Sequence, residues 1–182
     1  MDSVIDILLA HPEANLVGAV CVLLGATWPL YKGRTAILLA QAALHVGFTL
    51  HFFLLGAMSG SLMNALGLGQ IMAAIPLGRN PGFKKLYIAY LPIIAIAAAY
   101  TWQGAPSLFA ALGLTLFSLA RYQSGTFWLR VFMVAAILSW TVHDYLVLSI
   151  PALTTDVLSL ATSLFMIHRE HRVAKALAKA AA

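Results

Sequence analysis

The stretch FTLHFFLL (residues 48–55) is matched 92 positions later by WTVHDYLV (residues 140–147). Both stretches place an aromatic residue, a threonine and a histidine at the same offsets within otherwise apolar sequence. The chain aligns with itself at this interval without a gap from residue 14 to residue 78, which indicates an internal repeat. Leucine matches arise easily in such a composition, so the polar matches carry the argument. They are Thr49/Thr141, His51/His143 and the near match Asn64/Asp156.

The composition predicts an all-α integral membrane protein. Of the 182 residues, 62% are hydrophobic and 9% are charged, and the mean hydropathy is +0.89. A soluble domain is about half apolar and about a quarter charged. The apolar residues are too many for one anchor and the polar residues too few for a domain outside the membrane. We therefore expect a single membrane domain.

Seven apolar segments are candidates for membrane helices, which need about 17–20 residues to cross a bilayer. They are residues 14–31, 35–56, 61–78, 86–102, 106–121, 127–148 and 152–168. All 11 Lys and Arg residues follow spans 1, 3, 5 and 7 or bracket the turns there, so they fall on one side. The positive-inside rule then predicts an outer N-terminus and a cytoplasmic C-terminus.

The repeat suggests how the seven spans are organised. We expect a first three-helix repeat over residues 14–78, a linker helix over 86–102 and a second repeat over 106–168. Residues 1–13 are then an outer N-terminal segment and residues 169–182 a cytoplasmic tail. The linker helix acts as an inverter, so that the two repeats run parallel. Parallel repeats of this kind are a known transporter plan, with the substrate site at the repeat interface.

Four polar residues are expected at one depth in the outer third of the membrane, namely His51, Asn64, His143 and Asp156. His51 lies about 24 Å along its helix from the cytoplasmic start, and Asn64 and Asp156 begin the spans that follow the two histidines. Convergence of the four would create a ligand or proton site. The structural alternative is a pair of interhelical hydrogen bonds, His51 to Asn64 and His143 to Asp156. For Asp156, a helix cap is a further alternative.

The other candidate ligand residues are Phe48, Trp140, His45 and Gln70. Phe48 and Trp140 are related by the repeat and lie one turn below the histidines, where they could stack on a flat ligand. His45 and Gln70 are deeper polar groups that could line a path, and ordinary helix packing is the alternative for all four. Asp144 is expected at the membrane interface without a direct pair to His143, because adjacent helical positions point about 100° apart.

A resemblance adds to these expectations. The segment HFFLLGAMSGSLMNALG (51–67), followed by SWTVHDYLVLSI (139–150), resembles the bacterial inner-membrane proteins typified by YgjV, over most of residues 14–170. This implies a multi-pass protein of the inner (cytoplasmic) membrane. The three-plus-one-plus-three plan is also similar to the SWEET sugar transporters and the PnuC vitamin transporters. That likeness concerns the fold alone, which does not determine function.

The leading functional hypothesis is a small-solute transporter or permease, with no catalytic residues, no metal and no cofactor. No P-loop, dinucleotide fingerprint, nucleophile elbow or HExxH motif occurs in the sequence. One alternative is a haem- or metal-binding membrane redox protein with His51 and His143 as ligands. Another is a sensor or accessory module that transports nothing. The expected partners are membrane lipid and an unidentified small-molecule ligand; small-residue faces allow a homodimer, and nucleic acid is not expected.

Overall fold

The apolar segments of the chain form helices that end at glycine, proline or polar positions. The computed structural model describes residues 4–77, 82, 85–123 and 126–180, and no β-strand occurs among them. A short 3-10 turn, Trp28–Leu30, extends the second helix. The helices are α1 (Val4–Ala10), α2 (Pro12–Thr27), α3 (Arg34–Leu54), α4 (Met58–Leu77), α5 (Lys85–Tyr100), α6 (Ala105–Tyr122), α7 (Thr126–Leu146) and α8 (Ile150–Ala180).

Six helices are long and apolar enough to cross a membrane: α2 with its 3-10 extension, α3, α4, α6, α7 and α8. Each of the seven predicted spans overlaps one helix. However, α5 has only 16 residues, fewer than the about 17 that usually cross a bilayer. The prediction of an all-helical membrane protein is confirmed, and the seventh span stays a prediction.

The six long helices form a closed ring. Helices α2, α3 and α4 pack in sequence, as do α6, α7 and α8; contacts between α4 and α6 and between α2 and α8 join the two sets. Helix α5 packs against α4 and α6. Large apolar side chains such as Leu23, Phe53 and Leu164 remain more than half exposed. Such a surface suits lipid, which takes the place of water around the ring.

Helices α3 and α7 have the same bounds after a shift of 92 residues, and so do the turns that follow them. Gly56 and Leu148 both adopt positive φ angles, 76° and 55°. The amides of Ala57 and Ser149 each donate a 2.9 Å hydrogen bond to the carbonyl five residues earlier. Left-handed backbone is unstrained for glycine and strained for leucine. The two turns therefore have the same backbone geometry although their sequences differ.

Candidate functional site

A narrow cavity of about 60 Å³ lies inside the ring of helices. On α3 it is lined by Gln41, Leu44, His45, Phe48 and Phe52, which recur every three or four positions and so share one helix face. The 11 residue steps from Gln41 to Phe52 correspond to about 16 Å along the helix. The cavity is therefore long and thin, with room for a few water molecules or a solute of a few non-hydrogen atoms.

Five of the eight predicted ligand residues line this cavity: His45, Phe48, Asn64, Trp140 and Asp156. They come from α3, α4, α7 and α8, so the helix ring brings together residues that are far apart in sequence. The other three predicted residues make contacts outside the lining, described below. Asn64 and Asp156 line the cavity, but His51 and His143 do not. The prediction that the four residues converge on one site is therefore wrong for the two histidines.

Two carboxyl groups face each other at the cavity. Asp144 is buried and accepts a 2.7 Å hydrogen bond from Nδ1–H of His143. The side chain of Asp156 interacts with Asp144 and with Thr141, while its Oδ2 atom has no partner in the described part of the chain. The expectation that Asp144 is interfacial and unpaired with His143 is wrong. Adjacent side chains diverge at Cβ, but their polar ends are long enough to meet.

Three stacked aromatic rings form one wall of the cavity. The ring centroids of Phe48 and Phe52 are 5.6 Å apart with planes 25° from parallel. Those of Phe52 and Trp140 are 6.1 Å apart with planes 19° from parallel. The imidazoles of His51 and His143 each meet Phe52 edge-on at 5.1 Å. The repeat-related histidines therefore flank the middle ring of the stack.

A buried arginine lies behind His45. Arg121 has 1% of its surface exposed, and its Nη2 donates to Nε2 of His45 at 3.2 Å. An arginine cannot accept a hydrogen bond, so Nε2 must be the acceptor and the His45 proton must reside on Nδ1. That nitrogen donates to Oδ1 of Asn64 at 2.8 Å, and Asn64 donates to the Gly60 carbonyl at 2.9 Å. Because the guanidinium can only donate, it determines which atom is donor and which is acceptor in all three hydrogen bonds.

The same arginine explains the position of Gln70. Arg121 Nη1 donates to Oε1 of Gln70 at 2.7 Å, and Gln70 Nε2 donates to the Ser118 hydroxyl at 2.7 Å. Arg121 is one of the basic residues that bracket the turn after span 5, so the sequence alone predicts it at the cytoplasmic end of that span. A signal was present in α6: Leu114, Phe117, Ser118 and Arg121 recur every three or four residues and are all buried, which puts Arg121 on the packed face.

His51 ties helix ends together and does not line the cavity. Its Nδ1 donates to the carbonyl of Ala14 at 2.6 Å, because a carbonyl can only accept. Its Nε2 lies 2.7 Å from the hydroxyl of Ser149, which also accepts from the Ala152 amide at 3.3 Å and so has its proton free to donate. The alternative bond from His51 to Asn64 is wrong, although an interhelical role for His51 fits the structure.

His143 is equally buried but less fully bonded. Its Nδ1 binds Asp144 in place of the predicted partner Asp156, and its Nε2 has no partner among the described residues. The ring packs on the Gly60 backbone: a Cβ added to Gly60 would lie 2.9 Å from Nε2. His143 therefore orients the Asp144 carboxyl from behind the cavity wall.

Gln41 adds a polar group at the deep end of the cavity. Its Nε2 donates to Sδ of Met133 at 3.7 Å, a weak acceptor. Its Oε1 is buried without a partner in the part of the chain that the structure describes. Residues 41 and 133 are separated by 92 positions, so equivalent positions of the two sequence halves touch each other here.

Within the described ranges, no three His, Cys, Asp or Glu side chains are grouped closely enough to hold a metal ion. Cys21 is buried and free and packs against Gly47, where an added Cβ would collide with its Sγ. This thiol is part of the contact between α2 and α3.

Comparison with known proteins gives one match. The sequence profile of the family Imp-YgjV, described as bacterial inner membrane protein, matches residues 13–174. No curated protein and no solved structure matches the chain. The matched range covers α3, α4, α6 and α7 completely and most of α2 and α8. Each of these six helices is apolar and long enough to cross a membrane. The chain belongs to the Imp-YgjV family and is a multi-pass protein of the bacterial inner membrane.

Proposed function

We propose that the protein is a permease for a small solute, which binds in the central cavity. The observation that carries this proposal is the cavity itself, which residues from both sequence halves line in equivalent pairs. Phe48 and Trp140, Phe52 and Asp144, and Asn64 and Asp156 are each 92 positions apart, and all six line the cavity. A site built from equivalent positions of two halves is the arrangement expected at a repeat interface.

We further propose two parallel three-helix repeats, α2–α4 and α6–α8, related by a pseudo-two-fold axis along the membrane normal. The helix contacts support this layout, because exchanging the two sets turns the α2–α8 contact into the α6–α4 contact. The contact between Gln41 and Met133 also supports it. Two equivalent residues touch only when both lie close to the axis, which would then run through the cavity.

In this proposal α5 is the seventh span and the inverter, and the chain is oriented with its N-terminus outside. Helix α5 would cross where the bilayer adapts to its short apolar length. The orientation is supported by Lys32 between α2 and α3, Arg34 at the start of α3, Lys85 at the start of α5 and Arg121 at the end of α6. These basic residues belong to one end of an alternating helix bundle, the end that the positive-inside rule assigns to the cytoplasm. The resulting plan is similar to that of SWEET and PnuC transporters.

Polar ties between the two halves suggest how access could alternate. Towards the proposed cytoplasmic end, Arg121 on α6 binds His45 on α3 and Gln70 on α4. Towards the other end, His51 on α3 binds Ser149 just before α8. Each tie crosses between the halves at a different depth. Breaking one while keeping the other would open the cavity to one side only.

The experiment that tests the permease is a comparison of co-purified small molecules by untargeted mass spectrometry. Wild-type protein is compared with Asp156→Asn, which keeps the side-chain shape but removes the charge at the cavity. Glu13→Gln is the matched control, because Glu13 is exposed at the start of α2. A compound retained by wild type and control but lost from folded Asp156→Asn supports the site. Identical profiles for all three proteins would contradict it.

The haem alternative is less well supported by the geometry. Both ring nitrogens of His51 are occupied by hydrogen bonds, and the Phe52 ring meets both His51 and His143 edge-on where a haem between them would have to lie. A Soret band in protein purified from cells supplied with haem would favour this alternative. The alternative of a sensor or accessory module would be favoured if a compound that binds the protein never entered sealed vesicles containing it.

A further inference from the structure

The acidic side chains that line the cavity indicate which chemical class of solute it would bind. The chain has only six acidic residues. One of them, Glu170, is paired with Arg130 at 3.0 Å. Two of them, Asp144 and Asp156, line the same cavity, and none of the described Lys or Arg side chains lines it. Carboxylates inside a membrane protein are costly and mark functional pathways unless they are compensated.

We propose that the solute is a small monovalent organic cation, a protonated primary amine, held by the carboxyl groups of Asp144 and Asp156; this rests on the proposed permease function. The geometry points to an amine because the free polar atoms of the cavity accept hydrogen bonds. Gln41 is 3% exposed, and its Oε1 has no partner, as is also true of Asp156 Oδ2. An alkylammonium group offers three N–H donors.

The remaining unpartnered atom among the lining residues does not oppose this assignment. Trp140 Nε1 is a donor, but it faces α6: a Cβ added to Gly113 would lie 2.7 Å from it. The indole N–H therefore points to the backbone of α6 and offers the cavity no donor that would compete with the amine.

Cavity size and composition favour an amine over other cations. About 60 Å³ in a thin cavity holds a solute of a few non-hydrogen atoms, smaller than a sugar. Calcium takes six to eight oxygen ligands, and magnesium requires octahedral coordination; within the described ranges no three His, Cys, Asp or Glu side chains are grouped closely enough to hold a metal ion. The competing occupant is a proton shared between the two carboxyl groups, so the test is made at fixed pH with the amine as the only variable.

The test is equilibrium binding of radiolabelled methylammonium to purified protein at constant pH and ionic strength. Wild type should bind it saturably, and unlabelled ethylammonium should compete. Ethanol, acetate and potassium ions, as neutral, anionic and inorganic controls, should not compete. The variant Asp156→Asn should weaken binding about tenfold or more, the effect of losing one charge-assisted hydrogen bond. Glu13→Gln should change binding less than about twofold.

Several results would overturn the proposal: no saturable binding, equal competition by ethanol or acetate, or unchanged affinity in folded Asp156→Asn. If Asp156→Asn fails to fold, Asp144→Asn removes the charge of the other carboxyl group that holds the amine and should weaken binding about tenfold or more; unchanged affinity there overturns the proposal too. Vesicle uptake separates this inference from the permease. Binding of methylammonium without uptake would support the cation site and reject the permease. Uptake of a neutral or anionic solute at the same rate with wild type and with Asp156→Asn would support the permease and reject the cation site.

Discussion

The Nη2 atom of Arg121 lies 3.2 Å from Nε2 of His45, so a cation on α6 determines the tautomer of a cavity-lining histidine on α3. In the described part of the chain, no carboxylate is within salt-bridge distance of this arginine. Its charge is stabilised by His45, by Gln70 and by the Phe117 ring, whose centroid is 5.4 Å from Cζ. The cavity wall is thus linked to a buried cation.

Replacing this cation should destabilise the protein. Arg121→Gln leaves His45 Nε2 without its donor in a buried setting, so the unfolding free energy should fall by about 2–3 kcal/mol. Thermal unfolding in detergent measures the change. Arg172→Gln is the control, since Arg172 is exposed on α8, and it should have an effect within about 0.5 kcal/mol. Equal effects of the two substitutions would show that the buried network adds nothing.

His51 should behave as a structural tie and not as a ligand residue. Ser149→Ala removes the hydroxyl that faces Nε2 and should lower stability by about 1–3 kcal/mol, because a buried ring nitrogen loses its partner. His51→Leu should cost at least as much, and the double variant should cost less than the sum. Co-purified ligand should persist in folded Ser149→Ala. Loss of the co-purified ligand without loss of stability would show instead that His51 contributes to the ligand site.

Gly67 should be intolerant of a side chain because His45 packs against it. An added Cβ would lie 2.7 Å from Cε1 and 3.0 Å from Nε2 of His45, so Gly67→Ala must displace the ring that Arg121 holds. We expect a loss of about 1–3 kcal/mol in the unfolding free energy. At Gly33 an added Cβ meets nothing within 4 Å, and Gly33→Ala is the control. A stable Gly67→Ala with unchanged ligand binding would disprove this packing.

Substitutions in the paired turns after α3 and α7 should change the stability of the protein in opposite directions. Leu148 has a φ of 55°, a conformation that costs a side-chain-bearing residue about 1–2 kcal/mol. Leu148→Gly should relieve that strain and, after the added chain entropy, raise stability by about 0.5–1 kcal/mol. Gly56→Ala should lower stability by about 1 kcal/mol, since Gly56 has a φ of 76°. Changes of the same sign at both turns would contradict the shared geometry.

The sequence predicted the helices well because the length of an apolar run reports directly on membrane spans. It also singles out Phe48, Trp140, Asn64 and Asp156, which line the cavity and whose equivalence is visible as a fixed interval. It could not decide which residues face inward, because helices surrounded by lipid are apolar on every side. For this reason the sequence predicts His51 at the ligand site, although its two ring nitrogens are occupied elsewhere.

Two further misses have separate physical causes. Arg121 was assigned to a turn because charged residues near span ends usually extend to the interface, whereas its side chain extends inward along the packed face of α6. The sequence predicts Asp144 at the membrane interface because it lies near the outer end of its span, and the 100° difference in direction argues against a pair with His143. The 2.7 Å contact with His143 shows that side-chain reach can outweigh a 100° difference in direction.

Uptake into sealed vesicles tests directly whether the protein is a permease. Wild-type protein, Asp156→Asn and Glu13→Gln are reconstituted separately, and each compound that co-purifies with the wild type is added outside. If the protein is a permease, one such compound should accumulate faster with wild type and with Glu13→Gln than in protein-free vesicles, and with Asp156→Asn it should accumulate only at the protein-free rate. If wild-type vesicles accumulate none of these compounds faster than protein-free vesicles, the protein is not a permease for them and the cavity has another role.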